Sequence, residues 1–132
     1  MKNKYLKPRV IAEIGCNHKG EMEIAKQLLK VAADSGVEVA KFQKRNNKEL
    51  LTKEQYNTPH PNPINSYGNT YGEHREFLEF NLNQHKELKE YAESLGLIYS
   101  TSVWDTTSAK EIASINPDLI KVPSACNNHF EM

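Results

Sequence analysis

Polar and charged residues collect where short β-rich runs end. Arg9-Val10-Ile11-Ala12-Glu13-Ile14 leads into Gly15, Asn17 and His18, and Val37-Glu38-Val39-Ala40-Lys41-Phe42-Gln43 into Lys44 and Arg45. Leu97-Ile98-Tyr99-Ser100-Thr101-Ser102 leads into Trp104 and Asp105, and a weaker run, Asp118-Leu119-Ile120-Lys121-Val122, into Ser124, Asn127 and Asn128. In parallel α/β folds, ligands bind at the carboxyl ends of the strands. Lys41 follows Val37 and Val39 on one strand face, because successive residues alternate. A lysine facing inward is costly unless it meets an anion. Lys121 occupies a similar place on the fourth run. Two inward lysines with the hydroxyls of Thr101 and Ser124 suit a phosphate or a carboxylate. Glu13 is the only acid of the first run, able to serve as a base or as an acceptor for sugar hydroxyls.

Each residue taken alone has a plainer reading. Lys41 and Lys121 could be strand-end lysines reaching water, and Glu13 the structural partner of one of them. His18 has no second metal ligand at helical spacing and is expected to cap or pack. Glu73-His74-Arg75-Glu76 reads as a charged helix start with acids near its positive end. Cys16 could be an inert, buried thiol, and Trp104 a packing residue. The case for a site rests on four strand ends carrying polar groups together.

The elements that must position these groups alternate along the chain. Met22 to Ala33 carries Ile24, Ala25, Leu28, Leu29, Val31 and Ala32, which approximates one helical face, and Gly36 is placed to end it. Phe77 to Leu95 reads as a second helix before Gly96, with Asn83 as a possible interrupting cap, and Thr107 to Ile115 as a third, stopped by Asn116-Pro117. Lys44 to Gly72 breaks the rhythm with Pro59, Pro61, Pro63, Gly68 and Gly72. It is far longer than the roughly 2–6 residues of an ordinary βα loop, and long ordered loops are commonly functional. Asn127 to Met132 resembles the opening of another helix. Strands alternating with helices predict a parallel sheet. Gly15-Cys16-Asn17-His18-Lys19-Gly20 lacks the G-x-G-x-x-G spacing of a doubly wound nucleotide fold. The expected fold class is therefore α/β, a (β/α)8 TIM barrel of which only about the first four βα units are present. Such a barrel takes eight strands and about 250 residues, against 132 here.

Composition excludes other classes. Lys plus Arg and Asp plus Glu are 17 each, so the net charge is zero and a strongly basic nucleic-acid binder is not expected. No apolar run is long enough to cross a membrane. The start, MKNKYLKPRVIAEIG, has no apolar core or small-residue cleavage site of a secretory signal. Cys16 and Cys126 make neither a metal spacing nor a disulfide framework. A reducing cytoplasm is the expected location.

Several stretches together resemble the sialic acid synthase (N-acetylneuraminate synthase) family. They are Ala12 to Gly20 (AEIGCNHKG), Ala40 to Arg45 (AKFQKR), Tyr71 to Phe80 (YGEHREFLEF), Ser100 to Asp105 (STSVWD) and Ile120 to Ala125 (IKVPSA). Their order and spacing cover nearly the whole chain. The resemblance implies a TIM barrel followed by a small domain similar to type III antifreeze protein. It implies condensation of phosphoenolpyruvate with N-acetylmannosamine, or a related sugar, to N-acetylneuraminate and phosphate. It also implies a divalent metal, Mn2+ or Mg2+, that binds the open-chain aldehyde, and a domain-swapped homodimer. Carried over by position, Lys41, Thr101, Lys121 and Ser124 fall where the family holds phosphoenolpyruvate. Glu13 falls near the reacting carbon of the sugar, and Gln43 faces the site.

The chain departs from the family in three respects. The metal-binding histidines lie on later strands, so no metal ligand is assigned to these residues. Residues 1–132 correspond to the N-terminal half of the barrel, with the rest of the barrel and the antifreeze-like domain absent. Many members read Ser-Gly-Glu where this chain has Ser124-Ala125-Cys126, so a family acid is missing. The alternatives are a sister synthase making legionaminic or pseudaminic acid, or a non-catalytic half-barrel. The 132 residues alone are expected to be inactive.

Overall fold

The computed structural model describes residues 7–132. The signal-peptide reading rests partly on residues 1–6, which lie outside the described residues. Four strands form one sheet: β1 (Ile11–Gly15), β2 (Val39–Lys44), β3 (Ile98–Val103) and β4 (Leu119–Lys121). All three pairings are parallel, and the spatial order is β1-β2-β3-β4. A doubly wound sheet reverses its strand order at a switch point, whereas a barrel adds each strand beside the last. The unreversed order therefore matches the start of a barrel.

Helix α1 (Met22–Asp34) returns the chain from β1 to β2. It buries Ala25, Leu29 and Ala32, spaced four and three residues apart along one face. Gly36 and Gly96, at φ +72° and +76°, turn the chain back from their helices into β2 and β3, a conformation that costs glycine little. The core between sheet and helices holds Ile14, Ala25, Leu29, Ala40, Phe42, Phe80, Leu88, Ala92 and Tyr99.

The expected helix from Phe77 to Leu95 is two helices. In chain order α2 is Asn47–Leu50, α3 is Lys53–Asn57, α4 is Tyr71–Phe77, α5 is Leu82–Ser94 and α6 is Thr106–Ser114. Asn81, not Asn83, caps α5: its side chain accepts from Gln84 N–H, and the Gln84 side chain accepts from Asn81 N–H. This reciprocal pair satisfies two otherwise orphaned donors and sets the break. The same device starts α4 (Thr70 with Glu73) and α3 (Thr52 with Gln55). The long stretch from Lys44 to Gly72 thus carries α2, α3 and a 3₁₀ turn at Pro63–Asn65. Its backbone is tied back where Pro59 bridges Thr70. Residues 127–132 form turns rather than the expected helix opening; they follow a 3₁₀ turn at Ser124–Cys126.

Candidate active site

The parallel register decides which side chains can meet. Lys41 is paired with Glu13 on β1 and Ser100 on β3, and Ser102 is paired with Gln43 and Lys121. Neighbours in register on parallel strands point to the same face. Ala40 and Phe42 belong to the helix-covered core, so Lys41 and Gln43 project from the opposite face. In a barrel that face is the interior. Glu13, Lys41, Gln43, Ser100, Ser102 and Lys121 therefore share one surface spanning all four strands.

Lys41 is buried, and its ammonium forms an ion pair with the Glu13 carboxylate. Gln43 is half-buried and lies over Gly15, where a Cβ would sit 3.4 Å from the Gln43 amide nitrogen. Ser100 is fully buried, and its hydroxyl has no hydrogen-bond partner among the described residues. Lys121 is exposed at the end of β4, and Ser124 is exposed on the 3₁₀ turn that follows. The surface thus brings together two ammonium groups, two serine hydroxyls, an amide and one carboxylate. Such a set can offset the charge of a phosphate or carboxylate, with the Glu13 carboxylate, paired to Lys41, beside it as a group for proton transfer.

The expected position of Thr101 is corrected. Thr101 pairs with Phe42 and Ile120 and shares the parity of Tyr99 in the helix-facing core. It therefore points away from Lys41. Ser100 and Ser102 carry the hydroxyls of the Lys41 face instead. The signal that finds them is the register itself, counted from Lys41. Lys44 also points to the helix side: its ammonium pairs with Glu111 at 2.8 Å and donates to the Phe80 carbonyl at 3.3 Å.

His18 packs. It is buried, stacks on Phe80 at 4.1 Å between ring centroids, and its Nδ1 accepts from Gly20 N–H at 3.1 Å. Burial lowers its pKa to about 4, so it stays neutral at neutral pH. Among the described residues no cluster of three or more His, Cys, Asp or Glu side chains is placed to hold a metal ion. The divalent metal that the family resemblance implies therefore finds no donor set here.

Residues 28–132 match the NeuB family. The chain is 36% identical over 121 residues to human N-acetylneuraminate-9-phosphate synthase, covering 92% of this chain and 33% of that protein. It is 29% identical over 118 residues to the N,N'-diacetyllegionaminic acid synthase of Campylobacter jejuni, covering 89% of this chain and 35% of that one. In three dimensions it is similar to the N-acetylneuraminic acid synthetase of Leptospira borgpetersenii, with a TM-score of 0.71 at 21% identity over 91% of this chain and 37% of that one. The spore coat polysaccharide biosynthesis protein spsE of Bacillus subtilis gives a TM-score of 0.58 at 25% identity, over 85% of this chain and 28% of that one. The chain spans about a third of the length of the curated relatives it matches. No helix among the described residues is long and apolar enough to cross a membrane. With the matched segment covering most of its length and the sheet order of a barrel's first strands, this chain belongs to the NeuB family.

Proposed function

We propose that these residues form the phosphoenolpyruvate-holding half of a synthase barrel. The reaction joins phosphoenolpyruvate and N-acetylmannosamine, or a related sugar, with water to give N-acetylneuraminate and phosphate. Carbon 3 of phosphoenolpyruvate forms the new bond to the sugar aldehyde carbon, whose oxygen takes a proton. Water adds at carbon 2, and the resulting tetrahedral centre expels phosphate to leave the keto acid. The observation that carries this reading is a buried lysine, Lys41, on the face opposite the helices, in register with Glu13 and Ser100. Its ammonium, with Lys121, offsets the phosphate and carboxylate charges of the substrate. Ser100 and Ser102 donate to its oxygens, and Gln43 orients the sugar. Glu13 stands where a proton must move at the aldehyde oxygen, and Lys41 holds that carboxylate in place. Ser124 closes the phosphate side from the turn after β4.

The same reading includes a divalent metal held by residues outside this chain, a cytoplasmic location, a homodimer, and inactivity of the 132 residues on their own. The test is phosphate release from phosphoenolpyruvate by the native gene product with manganese, with and without N-acetylmannosamine. Sugar-dependent release, abolished in Lys41→Ala, supports the reading. Release that needs a legionaminic-type precursor instead assigns a sister synthase. Absence of release with every sugar tried would leave a non-catalytic half-barrel.

A further inference from the structure

Arg45 leaves β2 two residues past Gln43, and its side chain lies over Trp104 at the end of β3. The guanidinium carbon is 4.2 Å from the ring centroid. Arg75 reaches the same place from α4. The two guanidiniums share one carboxylate, Glu79, at 3.7 Å from Arg45 and 3.4 Å from Arg75. The three side chains are only 14%, 16% and 11% exposed. Both arginines also face the Cys16 sulfur, at 3.8 and 3.9 Å.

The donors outnumber the acceptors. Each guanidinium carries five N–H groups in a planar fork. Among the described residues the Arg45 guanidinium meets no oxygen at hydrogen-bond distance, and Arg75 meets only Glu79. Glu79 is itself engaged, accepting from Arg45 backbone N–H at 2.9 Å. Burial, and then the adjacent Arg75, depress the Arg45 pKa. Two cations against one anion leave a net positive charge in a half-buried setting. A cavity of about 280 Å³ opens beside them, lined also by Asn47, Leu50, Leu51, Tyr71 and Trp104. Contact with the indole restrains the Arg45 side chain, so less side-chain freedom remains to be lost when an acceptor arrives.

We propose that this pocket, at the carboxyl ends of β2 and β3 and lined by residues other than Lys41 and its partners, is a second oxyanion site, which binds the phosphate or carboxylate of a small molecule through the Arg45 and Arg75 forks. Two converging forks favour a tetrahedral dianion over a planar carboxylate, so phosphate is the tighter ligand. The site does not depend on the synthase reading, because its test uses neither phosphoenolpyruvate nor sugar.

Trp104 is the single tryptophan of these 132 residues and lies against Arg45, so its fluorescence reports on the pocket. The full chain is titrated with sodium phosphate and with sodium acetate, each against sodium chloride at matched ionic strength. A saturable change with phosphate is expected, weaker with acetate and absent with chloride. Arg45→Gln and Arg75→Gln each weaken phosphate binding about tenfold or more, the loss of a charge-assisted pair. Glu79→Gln keeps an acceptor for Arg45 N–H but removes the competing charge, and it tightens binding. That gain is one a merely structural trio does not produce, and it decides the matter if either arginine variant fails to fold. Tighter acetate than phosphate would make the ligand a carboxylate within the same proposal. No saturable response, or a phosphate affinity in both arginine variants equal to that of the unsubstituted chain, would overturn it. So would a response lost in Lys41→Ala but kept in the arginine variants, which would place the phosphate on the Lys41 surface.

Discussion

Lys41 and Glu13 face each other across the β1–β2 pair with opposite degrees of burial: the lysine side chain is 5% exposed and the glutamate 57%. The two halves of this ion pair are therefore not equivalent. Removing Glu13 strands a buried ammonium, while removing Lys41 leaves a carboxylate that water already solvates. Loss of one partner of a buried pair costs about 3–5 kcal/mol, whereas a hydrophobic replacement of similar volume is often neutral. Glu13→Ala should thus lower stability by about 2–4 kcal/mol, the lower end reflecting the open side of the pair. Lys41→Met should change it by less than about 1 kcal/mol. Urea unfolding of both variants checks the asymmetry. Equal losses would show that the pair is not the support of Lys41.

Ser102 and Thr101 are neighbours in sequence with opposite surroundings. Ser102 is in register with Gln43 and Lys121, and Thr101 with Phe42. Ser102→Ala in the native product should raise the KM for phosphoenolpyruvate about tenfold, the loss of a hydrogen bond to a charged group. Thr101→Val, nearly isosteric and on the core side, should leave that KM within about twofold. Thr101 is buried with its hydroxyl unpartnered among the described residues, so removing that hydroxyl should not destabilise the fold. Steady-state kinetics of the two variants would reverse the assignment if Thr101→Val proved the more damaging.

Why Thr101 misleads is a matter of contrast. Alternation locates a strand's inner face only when one parity is apolar and the other polar. Ser100-Thr101-Ser102 is polar at both parities, so the choice of face needs the partner strand. On β2, Ala40 and Phe42 against Lys41 and Gln43 give clear contrast, and Lys41 is legible without a structure. The four strands, α1 and α6 are likewise legible as elements, because short β-rich or helical runs alternate and glycine or proline punctuates most of them, β4 with its three residues being the weakest. Helices α2 and α3 have four and five residues, too short for any period to register. Their only signal is local capping, Thr52 with Gln55 for α3, a pattern that also ends the apparent continuity between Phe77 and Leu95 at Asn81. The Arg45–Glu79–Arg75 cluster joins Arg45 to an i,i+4 pair that lies 30 and 34 residues further along the chain, and no local pattern announces that meeting.

Two buried histidines make the fold sensitive to acid. Burial lowers the pKa of His85 to about 3 and that of His18 to about 4. His85 sits in the core with its Nδ1 2.6 Å from the Tyr99 hydroxyl. Both pKa values lie below the unfolded value near 6.5, so the unfolded chain binds more protons in this range. Stability is then full above about pH 6.5 and falls as pH drops toward the folded values. Linkage for the pair gives a loss of about 3 kcal/mol between pH 6.5 and 5. Burial raises the Glu79 carboxyl pKa, which acts in the opposite direction and trims that loss. Urea midpoints at pH 7, 6 and 5 should fall steadily, and His18→Asn, which keeps an acceptor for Gly20 N–H, should flatten the slope. A midpoint independent of pH over this range would contradict the neutral, buried state of both rings.

Asp105 ties the stretch after β2 to the helix after β3. One carboxylate oxygen accepts from Asn46 N–H at 2.7 Å and from the Ser108 hydroxyl at 2.8 Å. The other accepts from Ser108 N–H at 2.7 Å as the N-cap of α6. The residue is 1% exposed, so truncation leaves three donors in a poorly hydrated place. Asp105→Ala should cost about 2–4 kcal/mol, the sum of a lost cap and buried donors left unpaired. Asp105→Asn caps nearly as well but turns an N–H₂ toward at least one of those donors, and should fall between the two. Ser108→Ala removes one donor together with its need and should cost less than about 1 kcal/mol. Asn46 begins α2 and lies between Arg45 and Asn47, so the same truncation frees one wall of the arginine pocket. Limited proteolysis of Asp105→Ala should then cut within residues 44–72 at urea concentrations that leave the sheet intact. Cleavage there no earlier than global unfolding would show that the capping boxes of α3 and α4, not Asp105, hold the segment in place.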